Sequence, residues 1–348
     1  MNTIEPTITD YDIQQITNLL RSGNLGFGDN VRKFETKFSK YSNKKFNIGL
    51  NSASAAAYCL YAYLYERYGQ CDIYTPSLGF TSVSWAAKKN GHQVHFVDVD
   101  RDLLFDFASY KDMRAAHSTP NRKTVLMPVL YGGVSNVPNF SNQVTDEIVV
   151  VDSAHCIEPS MYSDYIFFSF HPFKPLAMSC GGLLGTDDHI ASDYVLKYRN
   201  FGRQAVDDTY DIVSGGFNFY MNNLNATLGL SQLKTCFKNI EARKNNLSHL
   251  KDNIPPDIGY FTHHDDKSSY YLGTLILNKG RSTELRKKMR DNKCNASFHY
   301  PLLHKSQFYN TGVSLKRVED LSDSVINLPI HQNLTMGELD KIIEVISG

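Results

Sequence analysis

The chain has no C-x-x-C pair; its six cysteines, Cys59, Cys71, Cys156, Cys180, Cys236 and Cys294, are scattered. That spacing speaks against a zinc site or a disulfide framework and suits reduced thiols in the cytosol. No run of about 18 consecutive apolar residues is present, so a helical membrane span is not expected. The opening MNTIEPTITDYD lacks both the basic start and the apolar run of a signal peptide. Excess charge of one sign is missing too. Its 36 Lys and Arg balance 36 Asp and Glu, which gives no global pull toward nucleic acid or anionic lipid. There is no G-x-x-x-x-G-K-[ST], no internal repeat and no low-complexity segment. The expectation is a soluble cytoplasmic protein without nucleic-acid or membrane partners. At 348 residues and 42% hydrophobic content, the chain can build one large domain and a smaller one.

What is present is a repeating alternation. Thr9 and Asp12 make a helix start, Ile13, Ile16, Leu19 and Leu20 form one apolar face, and Gly23 supplies the stop. A second amphipathic segment runs from about Val31 to Tyr41. Short apolar runs follow at 46–50, 72–76, 94–100, 124–131, 147–152 and 165–170. They are apolar on both faces and alternate with helical patterns such as Ala53–Tyr68 and Ser82–Asn90. This predicts an α/β fold with a mainly parallel sheet covered by helices on both sides. A long helical pattern from Asn222 to about Leu250, with room for a break, leads into different texture beyond Pro255–Pro256. There, strands are expected at 270–277 and 296–301, and helices at about Ser282–Asn292 and Met336–Ile346, the last opened by a Thr335–Glu338 capping box. The division expected is a large domain over 1–240 and a smaller α+β domain over 241–348.

In open α/β sheets, ligands bind beyond the carboxyl ends of the strands. Three points there carry useful chemistry. The loop N-S-A-S-A-A-A (51–57) joins a strand to a helix, and its small residues, the Ser52 and Ser54 hydroxyls and the free amides of the helix start could cradle a phosphate. Taken alone it reads as a serine N-cap on an alanine-rich helix. Asp152 closes the strand IVVVD, where an acid serves a turn as readily as it holds a cationic ring nitrogen. Lys174 lies in F-S-F-H-P-F-K-P with Ser169 and His171. Lone lysines are usually solvated, but one held against apolar surface has a lowered pKa and forms Schiff bases with carbonyl compounds. Together, a phosphate cradle, a ring-nitrogen acid and a Schiff-base lysine specify pyridoxal phosphate.

Several phrases extend the case in order along the chain. They include P-S-L-G-F-T-S (76–82), F-V-D-V-D (96–100), P-V-L-Y-G (128–132), V-D-S-A-H (151–155) and F-S-F-H-P-F-K (168–174). Downstream come R-N-F-G (199–202), G-F-N-F-Y-M-N-N-L-N-A (216–226), H-Y-P-L-L-H (299–304) and L-S-D-S-V-I-N-L-P-I-H (321–331). Nearly end to end, the chain resembles the DegT/StrS family of sugar aminotransferases. The resemblance implies a fold-type I pyridoxal-phosphate transferase with a mainly parallel seven-stranded sheet between helices. It implies that Lys174 carries the cofactor and shuttles the proton, and that Asp152 keeps the ring nitrogen protonated. His155 would support the ring or its O3′ side, and Phe80 would stack on its face. Ser52, Ala53, Ser54 and Ser169 would hold the phosphate, with Asn218 reaching it from the neighbouring subunit of a homodimer. Tyr220, His299, Tyr300 and His304 are expected to line the substrate pocket. The implied reaction moves an amino group from glutamate, through pyridoxamine phosphate, to a C3 or C4 keto group of a nucleotide-linked deoxy sugar.

Departures from the family pattern bear on substrate more than on cofactor. The family usually shows G-E-G-G where this chain has Ser179-Cys180-Gly181-Gly182, and Arg where it has Tyr220; its phosphate turn has Gly–Thr where this chain has Ala53–Ser54. A dehydratase is a rival reading, but dehydratase relatives replace the lysine by histidine, and Lys174 is retained. A non-catalytic regulatory homologue is another, supported only by Cys180 and Tyr220. No metal is expected, since His299 and His304 have no third ligand nearby. G-N-L-G-F-G (23–28) follows a helix rather than a strand, so it is no dinucleotide loop.

Overall fold

The computed structural model describes residues 1–348. Helix α1 (Asp10–Ser22) begins at the capping box of Thr9 and Asp12 and ends at Gly23, whose φ of 74° suits glycine. Helix α2 (Asp29–Ser42) buries Val31, Phe34 and Phe38. The strands β1 (Phe46–Leu50), β2 (Asp72–Pro76), β3 (Gln93–Val97), β4 (Thr124–Leu126), β5 (Ile148–Asp152), β6 (Tyr165–Ser169) and β7 (Gly182–Thr186) form one seven-stranded sheet in the order β1-β7-β6-β5-β4-β2-β3. Every neighbouring pair from β3 to β6 is parallel. Only β7 runs against the others, between β1 and β6.

Helices α3 (Ala53–Tyr68), α4 (Thr81–Lys89), α5 (Phe107–His117) and α6 (His189–Tyr198) flank this sheet. The alanine run of α3 is buried at Ala55, Ala56 and Ala57, which lets the helix lie close to the strands. A buried ion pair, Arg199 to Glu35 at 2.6 Å, joins α6 to α2, and Glu35 also accepts the amide of Gly49 in β1. A hairpin of β8 (Arg203–Val206) and β9 (Thr209–Ile212) stands out from the body with all eight strand residues exposed.

The run expected as one long helix divides into α7 (Asn223–Gln232) and α8 (Cys236–Asn253). Beyond it, β10 (Gly259–Phe261), β11 (Gly273–Leu277) and β12 (Val325–Leu328) form an antiparallel sheet in that order. Helix α9 (Ser282–Asp291), the short α10 (Lys316–Leu321) and α11 (Met336–Ser347) accompany it, and α11 opens with the expected Thr335–Glu338 capping box. This sheet has its own core, which includes Leu247, Leu275, Ile326, Leu339 and Ile342. No helix is long and apolar enough to cross a membrane.

Three expected strands come out shorter, each because its backbone groups are claimed elsewhere. The 94–100 run ends at Val97, after which the Asp98 and Asp100 side chains take the amides of Val99, Asp102 and Leu104. The 124–131 run ends at Leu126, two residues before Pro128, which has no N–H to donate. The 270–277 run starts only at Gly273, because the amides of Tyr271 and Leu272 both bond to the carbonyl of Gly132. The 296–301 run keeps only the bridge from Ser297 to Asn327. Strand β7 is absent from the pattern because GLLGT has two glycines and weak strand propensity.

Gly182 fixes how α3 meets the sheet. It pairs with Leu50 on one side and Ser169 on the other, and a Cβ there would overlap the backbone of Ser52 and Ala53. Gly182→Ala is therefore expected to destabilise the protein by about 2 kcal/mol or more and to push the start of α3 outward. Thermal unfolding measures the first effect, and a melting temperature equal to wild type would refute the close-approach argument.

Candidate active site

The carboxyl ends of β1, β5 and β6 open onto a cleft of about 290 Å³. The turn after β1 brings Ser52, Ala53 and Ser54 to its wall, where Ser52 caps α3 by accepting the amide of Ala55 at 3.1 Å. The first-turn amides of Ala53 and Ser54 have no intrahelical acceptor, the arrangement that suits an anion at a helix start. The close approach of Gly182 holds this helix start beside Ser169, the last residue of β6. Asp152 ends β5, and its Oδ1 accepts the amide of Ala154 at 2.9 Å. Lys174 comes from the loop after β6, where its own amide closes a turn onto His171 at 2.8 Å.

Other segments complete the walls. Phe80, at the start of α4, lies at the mouth, 57% exposed, edge-on to Tyr300 at 5.7 Å between ring centroids. His155 shares a hydrogen bond of 3.0 Å with the Tyr300 hydroxyl through Nε2, while its buried Nδ1 has no partner. His299 and Tyr300 arrive from the C-terminal unit, and the Tyr131 hydroxyl donates to the His299 carbonyl.

Burial dominates the electrostatics. Lys174 is lowered to about 7, burial outweighing the attraction of Asp152. Asp152 is raised to about 6, again mainly by burial, against the Ala154 amide and the Lys174 charge. The charges act on each other without a direct ion pair. His155 is pushed well below the ordinary histidine value and His299 to about 4, by burial and then by Lys174, so both imidazoles are neutral near pH 7.

Ten expected residues thus meet in one cleft: Ser52, Ala53, Ser54, Phe80, Asp152, His155, Ser169, Lys174, His299 and Tyr300. Three do not line it. His304 is buried in a short 3-10 turn, 2.5 Å from the Ser77 hydroxyl and 3.1 Å from Glu319, so it ties the loop after β2 to α10 rather than facing substrate. Tyr220 forms a bridge with Leu50 and packs edge-on against Phe27, outside the lining of this protomer's cleft. Asn218 is exposed on the surface of its own protomer, its carbonyl accepting from Asn51 at 3.2 Å. Sequence reasoning missed Tyr271, Phe173, Val129 and Ser82. Tyr271 sat inside a run read as strand, and nothing local in the sequence ties it to Lys174.

A family model described as the DegT/DnrJ/EryC1/StrS aminotransferase family matches residues 6–347. The chain belongs to that family. It is an aminotransferase by that membership. Among family relatives, UDP-4-amino-4,6-dideoxy-N-acetyl-beta-L-altrosamine transaminase of Campylobacter jejuni is 24% identical over 350 residues, covering 94% of this chain and 92% of its own. UDP-4-amino-4-deoxy-L-arabinose–oxoglutarate aminotransferase of Shewanella sediminis is 22% identical over 382 residues, covering 98% and 96%. The solved structure of a sugar aminotransferase, Spr1654 of Streptococcus pneumoniae in its PMP form, superposes with a TM-score of 0.89 at 22% identity, covering 100% of this chain and 96% of that one.

The raised Asp152 has a measurable consequence. A carboxyl whose folded pKa lies near 6, above its unfolded value of 3.8, contributes stability below pH about 4 and loses it as pH rises through 6. Asp152→Asn stays neutral throughout. In cofactor-free protein at pH 8 it is expected to unfold later than wild type by up to about 3 kcal/mol, with the gap closing toward pH 4. Melting curves at both pH values check this, and an Asn variant less stable at pH 8 would show the carboxylate to be unstrained.

Proposed function

We propose that the cleft binds pyridoxal 5′-phosphate and that the protein transfers an amino group from glutamate to a C3 or C4 keto group of a nucleotide-linked deoxy sugar. The observation that carries this reading is the half-buried Lys174 side chain, its amine lowered to about 7, in the same cleft as the buried carboxyl of Asp152. The cleft residues fit the cofactor. The α3 start, Ser54 and Ser169 suit its phosphate, the otherwise unpaired acid Asp152 suits a protonated ring nitrogen, and the orphaned His155 Nδ1 is a polar group in need of a partner. When bound, the cofactor supplies a covalent anchor for amines and an electron sink for the carbon that loses a proton.

The chain's own groups supply the rest. Lys174 holds the cofactor through its amine, which is free to attack at neutral pH because burial disfavours the ammonium. With the cofactor bound, the same Nζ would be the group placed to take and return the proton at the reacting carbon. Asp152 keeps the proton on the ring nitrogen by a charge-assisted bond, which strengthens once that nitrogen is cationic. Phe80 would stack on the ring, and neutral His155, hydrogen-bonded to Tyr300, would support the ring or its O3′ side. His299 and Tyr300 shape the substrate end.

The named substrates of the Campylobacter and Shewanella relatives support a UDP-linked or similar nucleotide sugar, and the oxoglutarate in the second name supports glutamate as donor. The PMP form of the Streptococcus structure supports the cofactor. We place the work in a homodimer in the cytoplasm, with exposed Asn218 of each protomer reaching the phosphate in the other's cleft. The exposed apolar residues Phe201, Val206, Tyr210, Ile212 and Phe217 in and around the β8–β9 hairpin favour that pairing. We also retain the division into a cofactor domain over 1–240 and a smaller domain over 241–348.

The visible spectrum tests the reading. Purified protein with pyridoxal phosphate should show a yellow band that glutamate bleaches and a keto sugar nucleotide restores; Lys174→Ala should lose the exchange by at least about 1,000-fold. A yellow band indifferent to glutamate would point to another donor, and Lys174→Ala exchanging like wild type would overturn the lysine assignment.

A further inference from the structure

The amine of Lys174 donates no hydrogen bond to the protein, yet it has a definite seat. Its Nζ lies 4.2 Å from the centroid of the Tyr271 ring. We propose that Tyr271 is the positioning residue for Lys174: its ring face, carried by the C-terminal unit, holds the amine at the floor of the cleft. An aromatic face attracts a cation through its quadrupole but captures no proton and demands no fixed donor angle. An amine that must alternately bond, leave and carry a proton is served by a seat of that kind.

The ring itself is fixed from several sides. Tyr271 is 5% exposed and packs against His155, with centroids 4.4 Å apart, and more distantly against His299 at 6.4 Å. Its amide, with that of Leu272, bonds to the Gly132 carbonyl at 3.0 and 3.1 Å, pinning the C-terminal unit to the loop after β4. Gly133, at φ 97°, lets the two backbones meet, since a Cβ there would lie 2.9 Å from both the Tyr271 amide nitrogen and the His155 carbonyl. Arg243 of α8, a buried guanidinium held through Nε by Gln332 at 2.8 Å, is the charge that lowers the Tyr271 phenol against the effect of burial. Burial pushes the phenol up, so it stays neutral and offers the amine a ring rather than a base.

The remaining titratable groups around Nζ do not supply this seat. Asp152 on β5 attracts the ammonium without touching it, while His155, His171 and His299 are lowered toward the neutral form by burial and by Lys174 itself. Tyr300 is engaged with His155. Replacing the ring by a smaller aliphatic side chain therefore keeps that wall apolar while removing an attraction for the charged amine.

The test is the pH dependence of Lys174 acetylation by acetic anhydride in the full-length protein after any bound cofactor is dialysed away, read by mass spectrometry of the Lys174 peptide. Wild type should titrate near pH 7, and Tyr271→Phe should match it. Tyr271→Leu should titrate lower by about 0.5–1 unit. A Leu variant that titrates like wild type, or a Phe variant that shifts as far as Leu, overturns the proposal. If Tyr271→Leu does not fold, stepwise fluorination of the ring in Tyr271→Phe weakens its face at nearly constant shape. The midpoint should then fall with each fluorine, and a midpoint indifferent to fluorine refutes the seat. The meaning for catalysis rests on Lys174 being the cofactor lysine, but the titration does not. Protein that takes up no cofactor yet shows the Tyr271 dependence would sink the proposed function and leave this inference standing.

Discussion

The site depends on drawing one amine partly out of water. A lysine ammonium in water is strongly solvated, and loss of part of that solvation in the half-buried setting of Lys174 lowers it from 10.5 to about 7. No hydrogen bond or direct ion pair returns the lost solvation. The fold therefore holds Lys174 in an unfavourable state, supported by packing elsewhere: the buried strands of the central sheet on one side and the Tyr271 segment on the other. Asp152, of opposite sign, regains only part of its lost solvation, from the Ala154 amide. Two opposite charges, each disfavoured by burial and neither neutralised by contact, leave the cleft prepared for a ligand that satisfies both.

That preparation draws on both sheets. The parallel sheet delivers Asp152 and Ser169 at strand ends and the α3 start beside them, positions set by main-chain pairing and by the glycine at 182. The antiparallel sheet delivers Tyr271, His299 and Tyr300, which close the other wall. Two hydrogen bonds to the Gly132 carbonyl and the Tyr131–His299 contact are the points where the halves meet next to the lysine. The ligand contacts expected of the first half are chiefly to phosphate and ring nitrogen, while those of the second surround the reacting amine. The strand-end acid and helix start come in this way from one stretch of chain, and the aromatic wall beside Lys174 from another.

This division explains what could be read in the sequence. Strands buried on both faces announce themselves as unbroken apolar runs, so β1, β2, β5 and β6 and the residues at their ends were legible, Asp152 and Ser169 among them. Lys174 was legible because it follows such a strand within a few residues. Strand β7 was not, since its role is to be thin: Gly182 and Gly185 make room for neighbours and erase the pattern. Tyr271 lies 97 residues from Lys174 and sits where an expected strand had not yet begun, its amide turned to Gly132 instead of to a ladder. His304 misled for the converse reason. A histidine in a motif suggests ligand contact, whereas burial between Ser77 and Glu319 makes this one a structural tie.

The departure at Cys180 follows from the same electrostatics. Where the resemblance leads one to expect a carboxylate beside the lysine loop, the cleft presents a thiol, and Asp152 is the only carboxylate lining it. A second anion near Nζ would favour the ammonium and raise the lysine, as Asp152 already does in part. With that anion absent, burial prevails, and the amine is available near neutral pH. The same absence leaves the aromatic face of Tyr271, 4.2 Å from Nζ, beside Asp152 as a group able to hold the charged form. The loss of an acid on one wall and the presence of a ring on the other therefore belong together: a weaker electrostatic hold on Lys174 is one that a π face can share.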